Sequence, residues 1–149
     1  MVGEMRDYDT VSTAVSAAET GHLVFASLHT NNAAQSVERI IDIFPSEQQR
    51  QIVSQLANTI SGVVSLRLIP RIRGGLVPAV EVMIATPAVR NLIREGRVQQ
   101  LNLAIDTGFD AGMISLNRSL AELVSRGEIS LEQAEFHSLN PAELRTLVR

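Results

Sequence analysis

The run Leu23-Val24-Phe25-Ala26 lies between His22 and the polar stretch Ser27 to Asn32, and its reading decides the fold. A short, continuous apolar run bounded by polar residues is the pattern of a strand buried on both faces. Upstream, Met1-Val2-Gly3-Glu4 reads as the end of another strand, because two apolar residues lead into a polar Glu4-Met5-Arg6-Asp7 turn. Between the two, Thr10 to Thr20 is alanine-rich, with Val11, Ala14, Val15 and Ala18 at helical spacing and Gly21 as a stop. Strand, helix and strand in this order predict a parallel α/β sheet.

Working outward, Asn31 or Asn32 can cap a helix carrying Val37, Ile40 and Ile41, closed by Phe44-Pro45. Ser46-Glu47-Gln48-Gln49 has the spacing of a capping box, opening a helix with Ile52, Val53, Leu56 and Ile60 on one face. Val63 to Ile69 and Val77 to Ile84 are β-rich and flank Arg71-Ile72-Arg73-Gly74-Gly75, which predicts a hairpin with a solvated tip. After Ile84 short helices follow. They start at Thr86-Pro87, near residue 99, before Leu116, at Ser130 and at Asn140-Pro141, with Gly96, Gly108 and Gly127 as stops. The change of character places a boundary near residue 86, giving regions 1–86 and 87–149.

Composition removes several chemistries. The chain has 149 residues, 45% apolar and 19% charged, with a formal charge of -3, which is the balance of an ordinary globular protein. There is no cysteine, so disulfides, thiolate zinc sites and cysteine nucleophiles are excluded. All 13 basic residues are arginine. Without lysine there is no G-x-x-x-x-G-K-[ST] phosphate loop, and no Schiff-base chemistry. No apolar run approaches the roughly 18 residues of a membrane span, and no charged leader precedes an apolar core, so the expected location is cytoplasmic. Mild acidity and 3% aromatics argue against nucleic acid as a partner. A DNA-binding role for the helices after residue 87 is opposed by Glu122, Glu128, Glu132, Glu135 and Glu143.

Longer motifs narrow the reading. Val2-Gly3-Glu4-Met5-Arg6-Asp7, followed by Ala17-Ala18-Glu19-Thr20-Gly21-His22 and Ser27-Leu28-His29-Thr30-Asn31, resembles the Walker B and histidine boxes of the secretion and type IV pilus motor ATPases. Ile40-Ile41-Asp42-Ile43-Phe44-Pro45, Gln55-Leu56-Ala57-Asn58 and Pro87-Ala88-Val89-Arg90-Asn91-Leu92-Ile93-Arg94-Glu95-Gly96 look like the retraction branch, of PilT or twitching-motility type. The similarity runs from Val2 to about Leu123. Lack of cysteine agrees with it, since many assembly and type II secretion relatives carry a four-cysteine zinc element that the retraction branch lacks.

The resemblance implies an α/β fold: the C-terminal half of a RecA-like P-loop NTPase core without its Walker A loop, followed by a small helical domain. It implies a hexameric motor that hydrolyses ATP with Mg2+ at subunit interfaces, at the periphery of the inner membrane, driving pilus disassembly through an inner-membrane platform protein. A full family member carries a PAS-like domain, a Walker A loop and an acidic box before the Walker B strand. This sequence starts inside that strand, so it is expected to be the C-terminal portion of such an ATPase, without ATP turnover of its own. The alternative is a non-catalytic interaction module that docks on motor subunits or on the platform protein.

By resemblance, Gly3, Glu4 and His29 are nucleotide-binding and Glu4 and His29 catalytic. An acid at the C-terminal edge of a parallel strand would hold magnesium through its water shell, and His29, at the end of the next strand, would contact a γ-phosphate. The plainer alternatives are a solvated turn residue for Glu4 and a strand-end histidine satisfied by backbone for His29. His22, at the opposite strand end, reads as structural or inter-subunit, and His137 as a surface residue. Arg6 and Asp7 suit an internal ion pair or an interface contact. Arg90, Asn91, Leu92, Ile93 and Arg94 form the motif that the family links to coupling hydrolysis with retraction. From periodicity alone they form an amphipathic helix with Leu92 and Ile93 buried and Arg90 and Arg94 solvated.

Overall fold

A computed structural model of the chain describes residues 1–148. Its first helix, α1 (Tyr8–Glu19), is capped by Asp7, whose Oδ1 accepts from the Thr10 amide at 2.9 Å. Helices α2 (Ala33–Asp42) and α3 (Ser46–Thr59) follow, then strands β1 (Gly62–Pro70) and β2 (Leu76–Ile84). The remaining helices are α4 (Pro87–Arg94), α5 (Leu101–Thr107), α6 (Leu116–Ser125), α7 (Leu131–His137) and α8 (Pro141–Leu147), with 3-10 turns at Val98–Gln100 and Phe109–Ala111. The caps are those the sequence marks: Asn32 on Gln35, Thr86 on Val89, Ser130 on Gln133 and Asn140 on Glu143.

β1 and β2 form an antiparallel hairpin with Gly62 opposite Ile84 and Pro70 opposite Leu76. Its tip needs glycine, because Gly74 and Gly75 both take positive φ, 87° and 79°. The tip is exposed, as expected, and it is also tethered. Arg71 Nε meets Glu128 Oε2 at 2.9 Å and the Ile72 amide donates to the Glu128 carbonyl at 3.0 Å, so the segment after α6 holds it.

Two cores straddle residue 86. Val11, Val37, Ile52 and Leu56 from the first three helices pack with Met83 of β2, Val89 and Ile93 of α4, and Leu101 of α5. Ile69, Val77 and Ala79 of the hairpin pack with Leu116 and Leu120 of α6, Ile129, and Leu144 of α8. Each fully buried large aliphatic side chain contributes roughly 1.5–3 kcal/mol. The hairpin thus supplies residues to both cores from one face.

The parallel pairing expected near the N-terminus is present but short. Val2 and Ala26 form a single parallel bridge, with the Val2 amide donating to Phe25 and the Met5 amide to Ser27. Burial on both faces is not found: Leu23 is 77% and Phe25 64% exposed, because among the described residues only the segment around Val2 pairs beside them. The capping box at Ser46 also fails. Pro45 holds the cap position with extended ψ, so Ser46 is already the first helical residue, and Gln49 Nε2 donates to the Phe44 carbonyl instead.

Candidate nucleotide-facing edge and coupling helix

The bridge between Val2 and Ala26 runs in one direction, so the residues that follow each partner emerge at the same edge. Glu4 lies two residues past Val2 and His29 three past Ala26. Their side chains meet there, with His29 Nε2 3.2 Å from Glu4 Oε1. The other carboxylate oxygen, Oε2, lies 2.5 Å from a guanidinium nitrogen of Arg6. The Arg6 hydrogen bond is the main influence holding the Glu4 carboxyl below its ordinary value, with smaller help from His29. Glu4 is one-quarter exposed and His29 85%, so the ionised acid sits behind an imidazole that faces solvent. Gly3 contributes its carbonyl, which accepts from the Ser27 hydroxyl and binds the two segments together.

Of the flanking residues, Arg6 forms the internal ion pair and Asp7 the helix cap. His22 is held at the opposite end, its Nδ1 3.1 Å from Thr20 Oγ1 and 3.2 Å from the Ala17 carbonyl. His137 turns its ring edge-on to Phe136, and its carbonyl accepts from Arg67.

The second candidate group lies away from this edge, on α4. Val89 and Ile93 are fully buried and Leu92 half-buried, as the spacing predicts. Arg90 is not solvated. Its Nη1 donates to the carbonyls of Ala57 and Asn58, both at 2.8 Å, and its Nε to Ala85 at 3.1 Å. Arg94 reaches Asn58 Oδ1 at 3.0 Å, and Asn91 donates to Glu95. α4 is therefore docked on the C-terminal end of α3, where unpaired carbonyls and the negative end of the helix dipole favour cations.

Two polar residues of the interior escape a reading by motif. Glu81 on β2 is 5% exposed, and its Oε1 accepts from the Ala33 amide at 2.7 Å. Burial pushes its carboxyl up, against the lowering effect of that bond and of Arg67. Asn117 donates to the Asn140 carbonyl and to Glu143, joining α6 to α8. The available signal for Glu81 was an acid at an inward position of an alternating strand; for Asn117 there was none.

The family model described as Type II/IV secretion system protein matches residues 1–79. The chain belongs to that family. Within it, the chain is 50% identical over 134 residues to the type IV pilus retraction ATPase PilT of Pseudomonas aeruginosa, covering 90% of this chain and 39% of that protein. It is 45% identical to the twitching motility protein of Neisseria gonorrhoeae, over 94% of this chain and 38% of that one. Among solved structures, the pilus retraction motor PilT with bound ADP superposes with a TM-score of 0.86 at 46% identity, over 97% of this chain and 40% of that chain. The Legionella pneumophila ATPase DotB superposes at 0.79, with 26% identity, over 91% of this chain and 37% of that one. This secretion-family chain thus spans about two fifths of the length of the relatives it matches, and it is PilT-like in sequence and fold. Among the described residues, no helix is long and apolar enough to cross a membrane.

Proposed function

We propose that this chain is the C-terminal part of a type IV pilus retraction motor and supplies one edge of its ATP site. The observation that carries the reading is the meeting of Glu4 and His29 beside a parallel bridge. An ionised carboxylate and an exposed imidazole at the C-terminal ends of adjacent parallel segments suit a metal-bound phosphate. Glu4 would hold the water shell of Mg2+, His29 would face the terminal phosphate, and Gly3 would shape the backbone beneath it. Bound Mg2+ neutralises charge on the transferring phosphoryl group.

In this reading residues 1–86 belong to the motor core and 87–149 to the helical domain. Arg90, Asn91, Leu92, Ile93 and Arg94 couple hydrolysis to retraction, and their docking on α3 supports a rigid link between the two regions. The complete motor would act as a cytoplasmic hexamer at the inner-membrane platform protein. The test is a chimera in which this chain replaces the matched segment of the P. aeruginosa PilT in a strain lacking that protein. Restored twitching and Mg2+-dependent ATP hydrolysis, both abolished by Glu4→Ala and by His29→Ala, are expected; a chimera that assembles but is indifferent to both substitutions refutes the site.

A second reading, a non-catalytic docking module, is favoured by the exposed apolar outer face of the hairpin, where Val64 is 67%, Leu66 61% and Leu68 55% exposed. Light scattering of the chain alone and mixed with a full-length relative separates the two, since a monodisperse chain that ignores the relative opposes the module.

A further inference from the structure

The inward face of the hairpin carries a carboxylate where alternation calls for an apolar residue. Ala79 and Met83 are fully buried, and Glu81 between them is buried as well. Its partner is the backbone amide of Ala33, the first residue of α2. The register pairs Ser65 with Glu81 and Arg67 with Ala79, so Arg67 is the diagonal neighbour of Glu81 on the same face. Arg67 Nη2 donates to the Asn31 carbonyl at 3.3 Å, and Nη1 to the His137 carbonyl at 2.8 Å.

These bonds grip the chain two and four residues after His29. Upstream of His29, the Met5 amide fixes Ser27 to the N-terminal segment. Downstream, residues 29–32 have no helix or strand. The other side-chain bonds there, Thr30 to Ser36 at 2.6 Å and Asn31 to Gln35 at 3.1 Å, tie the loop only to its own helix. A buried carboxylate costs solvation that a packed leucine would not. A leucine cannot accept the Ala33 amide.

We propose that Glu81 and Arg67 are positioning residues that fix residues 31–33 to the hairpin and thereby set the reach of His29 toward Glu4. The proposal rests on the reading of Glu4 and His29 as a nucleotide-facing pair. It accounts for a polar pair on an inward strand face, which packing alone does not require.

The test is NMR on the 149-residue chain, reading the nuclear Overhauser effect between the His29 ring and the Glu4 side chain together with exchange of the Ala33 amide. Glu81→Leu is expected to lose the Overhauser contact and to accelerate Ala33 exchange at least about tenfold relative to Leu120. Glu81→Gln, which keeps an acceptor oxygen, should retain both. Ile129→Val, in the second core, controls for general loss of stability and should leave the contact intact. If Glu81→Leu does not fold, Arg67→Met carries the test, with the same loss of contact expected. Survival of the contact in the Glu81 and Arg67 variants overturns the proposal, as does its loss in Ile129→Val. Absence of the contact from the unsubstituted chain overturns the pairing of Glu4 with His29 first, and the positioning role with it.

Discussion

The guanidinium of Arg90 donates to the carbonyl oxygen of Ala57 at 2.8 Å, joining the candidate coupling helix to the end of α3. The same nitrogen serves Asn58, so one side chain satisfies two carbonyls that the helix leaves unpaired. Removing it strands both. Arg90→Ala is expected to lower stability by about 1.5–3 kcal/mol, the range for hydrogen bonds to a charged group. Arg90→Lys should recover only part, since an ammonium cannot span the Ala85, Ala57 and Asn58 carbonyls from a planar fork. Urea unfolding of the three proteins checks this; equal midpoints would show that the docking is not energetically significant.

Glu81 makes stability depend on pH in a defined direction. Burial raises its folded carboxyl pKa above the ordinary 4.5, with Asp106 adding to the rise. Between that ordinary value and the raised folded value the native state holds more protons than the unfolded one, so stability falls as pH rises through this window. Glu81→Gln removes that dependence. Relative to the unsubstituted chain, the variant should therefore gain stability on going from acid to neutral pH, measured by thermal unfolding across the range. A pH-independent difference would mean that Glu81 ionises freely.

Much of this architecture could be read from sequence, and the exceptions share a cause. Helix starts were legible at Asn32, Thr86 and Ser130 because each accepts from an amide three residues on, whereas Asp7, read as an ion-pair or interface residue, proved to cap α1, which starts two residues before the expected Thr10. The convergence of Glu4 and His29 followed from two apolar runs and the direction of a parallel pair. Leu23 and Phe25 were misjudged because an apolar run states what could be buried, not what covers it. Arg90 was expected to be solvated, but it flanks the face of Val89 and Ile93 and is half-buried, because the carbonyls it meets lie 32 and 33 residues away, beyond the reach of a local pattern. Pro45 displaced Ser46 from the cap because φ near -60° with extended ψ suits a proline immediately before a helix.

Gly108 is constrained by packing rather than by its backbone angles. A methyl group there would lie 2.7 Å from Met113 Sδ and 2.8 Å from the Ala104 carbonyl. The sulfur can swing aside, whereas the carbonyl belongs to α5 and cannot move without loosening that helix. Gly108→Ala should cost about 1–3 kcal/mol, the usual range for overpacking. Gly3→Ala, where an added methyl meets nothing within 4 Å, should leave the unfolding midpoint unchanged.

Lysine is absent from the 149 residues, so no side chain here reproduces the ammonium that grips the β- and γ-phosphates in a P-loop. Positioning and charge neutralisation supply nearly all the acceleration of phosphoryl transfer, and in the proposed site Glu4 with His29 would provide only one side of that arrangement. The purified chain is expected to show no Mg2+-dependent ATP hydrolysis above a Glu4→Ala control in a phosphate-release assay. Turnover that disappears in the control would require a second phosphate grip among these residues.

Arg6 holds the carboxyl of the proposed magnesium-facing acid below its ordinary value. Its hydrogen bond is the largest influence lowering the Glu4 carboxyl, followed by its charge and that of His29. A depressed folded value means that the stabilising contribution of the pair is present above the ordinary carboxylate range and is lost as pH falls through the folded value. Arg6→Ala should move the Glu4 titration upward toward 4.5, and the pH-dependent contribution should shrink as the folded and unfolded values converge. Titration of the Glu4 side-chain carboxyl by NMR reads the shift directly. The same substitution frees Oε2, which Arg6 holds at 2.5 Å, so in the chimeric motor it should weaken the competition that Mg2+ meets at this oxygen and lower the Mg2+ concentration for half-maximal hydrolysis. An unmoved Glu4 titration would mean that Arg6 is held away from the carboxylate in solution, and the magnesium effect should then vanish with it.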